Sequence, residues 1–66
     1  MSVAQHRVLL ALGRRSMTVV GLAQAVDGNA RSTQHTLDAL YRKSLVTITP
    51  AGRWAVTERG RKRLAA

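Results

Sequence analysis

The 66-residue sequence has no cysteine, no phenylalanine, a single proline and only three acidic residues. The missing cysteines exclude disulfides and thiolate metal sites. His6 and His35 are too far apart in the chain to suggest a metal site, so no metal and no cofactor is expected. With only Asp27, Asp38 and Glu58, paired-carboxylate chemistry has little to work with. Ser32 and His35 can share a helix face. A nucleophile and base also need an orienting group and an oxyanion site, and neither is evident. No catalytic residue is therefore assigned. The longest apolar run, Val8 to Leu12, falls far short of the ~20 residues that span a bilayer. It is also short for a signal peptide and is followed by basic residues. The expectation is a soluble, cytoplasmic protein.

Aromatic residues are nearly absent, with Tyr41 and Trp54 alone. Single-strand recognition relies on base stacking, so this scarcity argues against it. It also leaves most of the core to Leu, Val, Ile and Ala. Lys and Arg number 11, giving a formal net charge of +8. At 45% apolar residues the chain is not a disordered polycation. A chain this short forms one domain and buries roughly 60% of its unfolded surface, which leaves no room for a deep enzyme pocket. The charge favours polyanionic partners, nucleic acid first and an anionic membrane surface second. Arginine supplies nine of the eleven cations and alanine is abundant, a compositional hint of a GC-rich bacterial or phage genome.

Residues 2–13 carry Ala4, Val8, Leu9 and Leu12 at helical spacing, with Ser2 as a cap and Gly13 as the expected end. Ser16 to Thr18 reads as an extended link. Thr18 caps a short helix over 19–26, with Val19, Leu22, Ala23 and Val26 facing inward. Asp27-Gly28 is a strong turn dipeptide. Asn29 is a good cap for a helix over 30–43, whose inward stripe would be Thr33, Leu37, Leu40 and Tyr41. The period then changes to two. Residues 45–49 and 53–57 alternate and are rich in β-branched side chains, with Pro50-Ala51-Gly52 as a three-residue hairpin loop. Val46, Ile48, Trp54 and Val56 would share one face, with Trp54 plugging the core. Residues 58–65 form a last helix, with Glu58 favourable at its start. The hairpin and the turn residues argue against a basic membrane-surface peptide, which is usually one long amphipathic helix. The fold class is α+β, mainly helical.

Several stretches resemble the winged helix-turn-helix family, in its MarR-like and PadR-like forms. Thr18-Val19-Val20-Gly21-Leu22-Ala23-Gln24-Ala25-Val26 resembles a positioning helix. Residues 29–43 resemble a recognition helix, and Leu37 to Val46 resembles the "L-x-x-L-x-x-x-G-L-V" stretch that enters the wing. Trp54-Ala55-Val56-Thr57-Glu58-Arg59-Gly60 resembles the returning strand "W/Y-x-L-T-x-x-G". Ser44 departs from the pattern, standing where the family usually has glycine, so that corner is expected to be shaped differently. Gly21 replaces a common Glu, so no capping box forms there. The resemblance covers about residues 4 to 64. It implies a three-helix bundle with a two-stranded wing and a short C-terminal helix. It implies a DNA-binding module and not a ligand-sensing dimer, because larger members add dimerisation helices.

It also implies sequence-specific binding of double-stranded DNA, by a small transcription regulator, such as a repressor, or an architectural or recombination accessory factor. In this fold the N-terminal half of the recognition helix lies at base edges in the major groove. That half carries Arg31, Ser32, Gln34 and His35. Asp38 either accepts from cytosine or orients Arg31, Arg42 or Gln34. Asn29, Arg14, Arg15, Arg42, Lys43 and, on the wing, Arg53 are the expected backbone contacts. Arg59, Arg61, Lys62 and Arg63 form the densest basic cluster and a candidate extension of the footprint. A 66-residue monomer would bind one half-site weakly, so a second copy or a protein partner on DNA is expected. Nucleoid association follows from this reading. The competing reading is a winged-helix protein-interaction adaptor with non-specific nucleic-acid affinity, its contact patch marked by Leu10 and Val20.

Overall fold

The computed structural model describes residues 1–66. Three helices, α1 (Val3–Arg14), α2 (Val19–Ala25) and α3 (Ala30–Arg42), precede a hairpin of β1 (Val46–Ile48) and β2 (Trp54–Val56), and α4 (Glu58–Ala65) closes the chain. Each helix begins at a side-chain cap. Ser2, Thr18, Asn29 and Thr57 accept hydrogen bonds from the backbone N–H groups of Gln5, Gly21, Ser32 and Gly60. Such caps satisfy donors that a helix start otherwise leaves open. Gly13 does not end α1. Its backbone stays helical, and the chain leaves the helix at Arg15, which is extended (φ −167°, ψ 157°).

α2 and α3 end in the same way. After α2, the N–H of Gly28 donates to Ala23 O at 2.8 Å and that of Asp27 to Gln24 O at 3.3 Å. After α3, Leu45 N–H donates to Leu40 O at 3.0 Å and Ser44 N–H to Tyr41 O at 2.9 Å. This is the Schellman pattern, which calls for a left-handed residue just past the helix. Asp27 (φ 56°) and Ser44 (φ 62°) fill that place. The corner at Ser44 is therefore not reshaped by the loss of glycine. It keeps the left-handed form because Leu40 and Leu45, both buried, lock it from below.

The strands pair antiparallel with Val46 opposite Val56, Thr47 opposite Ala55 and Ile48 opposite Trp54. Gly52 N–H donates to Thr49 O at 2.9 Å, closing the turn over Pro50 and Ala51, and Gly52 is left-handed (φ 79°). The extended link adds a further rung. Met17 and Trp54 exchange both backbone hydrogen bonds, at 3.0 and 2.7 Å, which pins the hairpin beside the α1–α2 connection.

The core joins all of these elements. Val8, Leu9 and Leu12 of α1, Leu22 of α2, Leu37 and Leu40 of α3, and Leu45, Val46 and Val56 form one buried cluster. Fully burying each such side chain is worth about 1.5–3 kcal/mol. Trp54 is only part-buried, packed against the cluster's edge. Tyr41 is not part of the inward stripe. It is 55% exposed and meets Trp54 edge-on, with ring centroids 6.1 Å apart. Its position lies on the flank of α3, where the hairpin covers one side of the ring and leaves the other open. α4 rests on α1 and β2 through Gly60 and Leu64.

Candidate nucleic-acid interface

α3 buries one narrow stripe, Thr33, Leu37 and Leu40. The helical period of 3.6 then places Arg31, His35, Asp38 and Arg42 on the opposite side, at steps of four, three and four. All four are exposed. The Asn29 cap and the Leu40–Leu45 lock hold both ends of this helix, so the outward row sits on a rigid rod. Gln34 lies on the flank shared with Tyr41 and the hairpin, and its Nε2 donates to Asp38 Oδ1 at 2.9 Å. Of the roles open to Asp38, the structure shows it orienting Gln34. That bond fixes the amide so that its oxygen points away from the carboxylate.

Ser32 and Asn29 sit elsewhere. Asn29 Oδ1 accepts from Ser32 N–H at 2.8 Å, and the Ser32 hydroxyl donates to Asn29 O at 3.3 Å. Both side chains are engaged in starting α3. Ser32 also lines a groove against Val3, Ala4 and Arg7 of α1, on the side away from the hairpin. Lys43 turns to the same side, its Nζ donating to Gln5 Oε1 at 3.2 Å.

Arg53 stands at the return of the hairpin turn, its N–H donating to Thr49 Oγ1 at 3.2 Å. It lines an open polar groove of about 560 Å³ together with Arg15, Thr18 and Gln24. The structure thus brings Arg15 of the α1–α2 link and Arg53 of the hairpin together, although they are far apart in sequence. Arg14, at the last position of α1, is absent from that groove and lines a different one between α1 and α2. Arg59, Arg61, Lys62 and Arg63 project from α4, whose packed side faces α1 and β2.

Lys62 and Glu58, at 3.9 Å and both well exposed, make the one ion pair in the molecule. The remaining ten Lys and Arg side chains have no carboxylate partner. Such a surface is unsatisfied within the fold and offers its charge to an external anion.

No protein-family model matches the sequence, and no curated protein matches it. Solved structures do match its shape. A protein from Mycobacterium tuberculosis superposes with a TM-score of 0.94 at 22% identity, covering 98% of this chain and 49% of that one. A MarR family transcriptional regulator from Silicibacter pomeroyi gives 0.90 at 24% identity, again covering 98% and 49%. The fold is a winged helix of the MarR-like type. The IdeR protein of T. acidophilum is more distant, with a TM-score of 0.73, 13% identity and coverage of 97% and 32%. The chain spans about half the length of the first two structures. α2 and α3 stand where a winged helix has its helix-turn-helix pair, and β1–β2 where it has its wing. No helix is long and apolar enough to cross a membrane.

One position that joins the elements escaped the sequence reading. Thr57 reads as an outward strand residue, yet its hydroxyl accepts from Gly60 N–H at 3.0 Å and donates to Ser44 O at 2.7 Å. It ties the start of α4 to the end of α3. The Thr-x-x-Gly spacing is the signal that marks it.

Proposed function

We propose that this winged helix binds double-stranded DNA with sequence preference and serves transcription regulation, or an architectural or recombination accessory role, in a bacterial or phage setting. The observation that carries the reading is the exposed row Arg31, His35, Asp38 and Arg42 on the outer side of α3, without an ion-pair partner. Arg31 stands near the N-terminal end of α3, where base edges are met. Gln34, held by Asp38, reads from the wing side. A bidentate pair of Arg with guanine or of Gln with adenine discriminates by about 1–3 kcal/mol. Arg42 lies further along the rod and suits a phosphate. Arg15 and Arg53 flank α2 at the wing and suit the neighbouring backbone or minor groove. Asn29 contributes by fixing the helix start, and its backbone N–H is the group free to meet a phosphate. The kinship of shape with a MarR family regulator supports the same reading.

The test is selection of sites from a random duplex pool at ~150 mM salt, where loose attraction is screened. A recovered motif, weakened at one position by Gln34→Ala, supports the reading. A palindrome means that two copies bind together. With four to six phosphates neutralised, log K falls against log salt with a slope of about −4 to −5. No motif, with binding lost as salt rises, refutes sequence preference and leaves only non-specific affinity.

A further inference from the structure

α1 carries a second row beside its buried face, of which Ala11 alone packs against the core. Arg7, Leu10, Ala11 and Arg14 follow helical steps of three, one and three. Leu10 is 49% exposed although it stands one position from the buried Leu9. Across from it lie Met17, Ala25 and Val26, and together they floor an open groove of about 690 Å³. Arg7 marks one end of the groove, Arg14 and Arg15 mark the other, and Asp27 is its one acidic residue. No residue of α3 or of the hairpin lines it. The groove therefore opens on a different face from the recognition helix.

We propose that this groove docks an acidic amphipathic helix of a protein partner. The charge pattern selects the occupant. The floor is apolar, and cations outnumber the one anion at the rim by three to one. A second copy of this chain, at +8, is a poor match, and a wholly polar polyanion such as DNA leaves Leu10 and Met17 unused. The dimensions set the register. Arg7 and Arg14 are seven residues apart on one helix face, a rise of about 10 Å. A partner helix laid alongside meets both with carboxylates at positions i and i+7, and fills the floor with Leu at i+3 and i+4. This is the helix-in-groove mode, in which apolar anchors supply most of the affinity and flanking charges fix orientation. Docking here leaves α3 and the hairpin free, with Arg15 the one residue shared by the two surfaces. The inference does not rest on the DNA reading.

The probe is a synthetic, fluorescein-labelled helical peptide of about 15 residues, with Glu at i and i+7 and Leu at i+3 and i+4, compared with a scramble of identical composition. Fluorescence anisotropy at ~150 mM salt measures both against the full chain. The patterned peptide is expected to bind at least about tenfold tighter than the scramble, and Leu10→Glu to remove that margin. Ala25→Glu, at an exposed position across the groove, repeats the test independently. Circular dichroism confirms that both variants fold. Backbone amide shifts on titration are expected at Leu10, Ala11, Met17, Ala25 and Val26. Equal binding of patterned and scrambled peptides, no binding of either, insensitivity to both substitutions, or shifts confined to α3 and the hairpin would each overturn the proposal.

Discussion

Replacing Gly60 by alanine tests how the C-terminal helix is seated. Gly60 occupies the third position of α4, where alanine is the better helix former by up to about 1 kcal/mol. Intrinsic propensity alone therefore predicts a gain. The packing predicts the reverse. A Cβ at Gly60 would stand 2.5 Å from Val56 Cγ2 and closer still to the carbonyl oxygen of Leu45. The methyl of Val56 can turn aside, but the Leu45 carbonyl cannot, because it already accepts the Thr57 N–H at 3.0 Å. Relief requires α4 to lift from the α3–β1 corner, which strains that bond and the Thr57–Ser44 contact. Overpacking of this kind costs about 1–3 kcal/mol, and each weakened hydrogen bond adds about 0.5–1.5 kcal/mol. After the propensity gain the expected net loss is about 2 kcal/mol. In a domain of this size that lowers Tm by roughly 8–16 °C. Thermal unfolding followed by circular dichroism reads it directly. Two other helical glycines serve as controls. At Gly21 the nearest atom to a new Cβ is Thr18 Oγ1 at 3.4 Å, an ordinary contact, so Gly21→Ala is expected to stabilise by about 0.5–1 kcal/mol. At Gly13 the neighbour is the movable end of Leu64 at 3.0 Å, and the effect is expected within about 0.5 kcal/mol of zero. If Gly60→Ala proves as stable as the parent, the close seating of α4 on the Leu45 carbonyl is refuted.

Ser44→Gly relieves a left-handed serine, and urea denaturation is expected to show a gain of about 0.5–1 kcal/mol; a loss would mean that the Ser44 side chain contributes more than its backbone strain costs. Asn29→Ala removes the cap of α3 and is expected to cost about 1 kcal/mol, while Asn29→Gly costs only a few tenths. On a selected DNA site, Arg31→Ala is expected to relax one base position, by about 1–3 kcal/mol of discrimination. Arg53→Ala is expected instead to weaken all sequences alike and to reduce the salt slope by about 1, as titrations at several salt concentrations would reveal.

Much of this fold is legible because its boundaries are made by local chemistry. Ser2, Thr18 and Asn29 announce three helix starts through side chains that bond within their own first turn. The switch from a period near 3.6 to a period of two at Leu45 announces the hairpin, and Pro50-Ala51-Gly52 sets its turn. What the sequence leaves open depends on partners distant in the chain. Tyr41 sits on the flank of α3, where burial is decided by how far Trp54 and the hairpin reach over it, and no periodicity encodes that distance. Gly13 is a natural helix end by type, yet α1 runs one residue past it and brings it beside Leu64, fifty-one positions later. Thr57 alternates correctly with the strand before it, so its role as the cap of α4 is masked by the pattern it completes.

The candidate surface divides along the same line. Arg31, His35, Asp38 and Arg42 follow from helical spacing once Thr33, Leu37 and Leu40 are taken as the buried side, so the outward row is readable from local sequence. The pairing of Arg15 with Arg53 is not. It exists because Met17 and Trp54 exchange two backbone hydrogen bonds, bringing the α1–α2 link against the wing. Arg14 completes the last turn of α1 and keeps the helical row of Arg7, Leu10 and Ala11, while Arg15 is already extended and faces the wing. Arg15 also reaches the rim of the α1–α2 groove, so it stands where the two surfaces meet. A change at Arg14 should therefore be felt at the α1–α2 groove, and a change at Arg53 at the wing. Arg15 is the position at which both effects should be seen together.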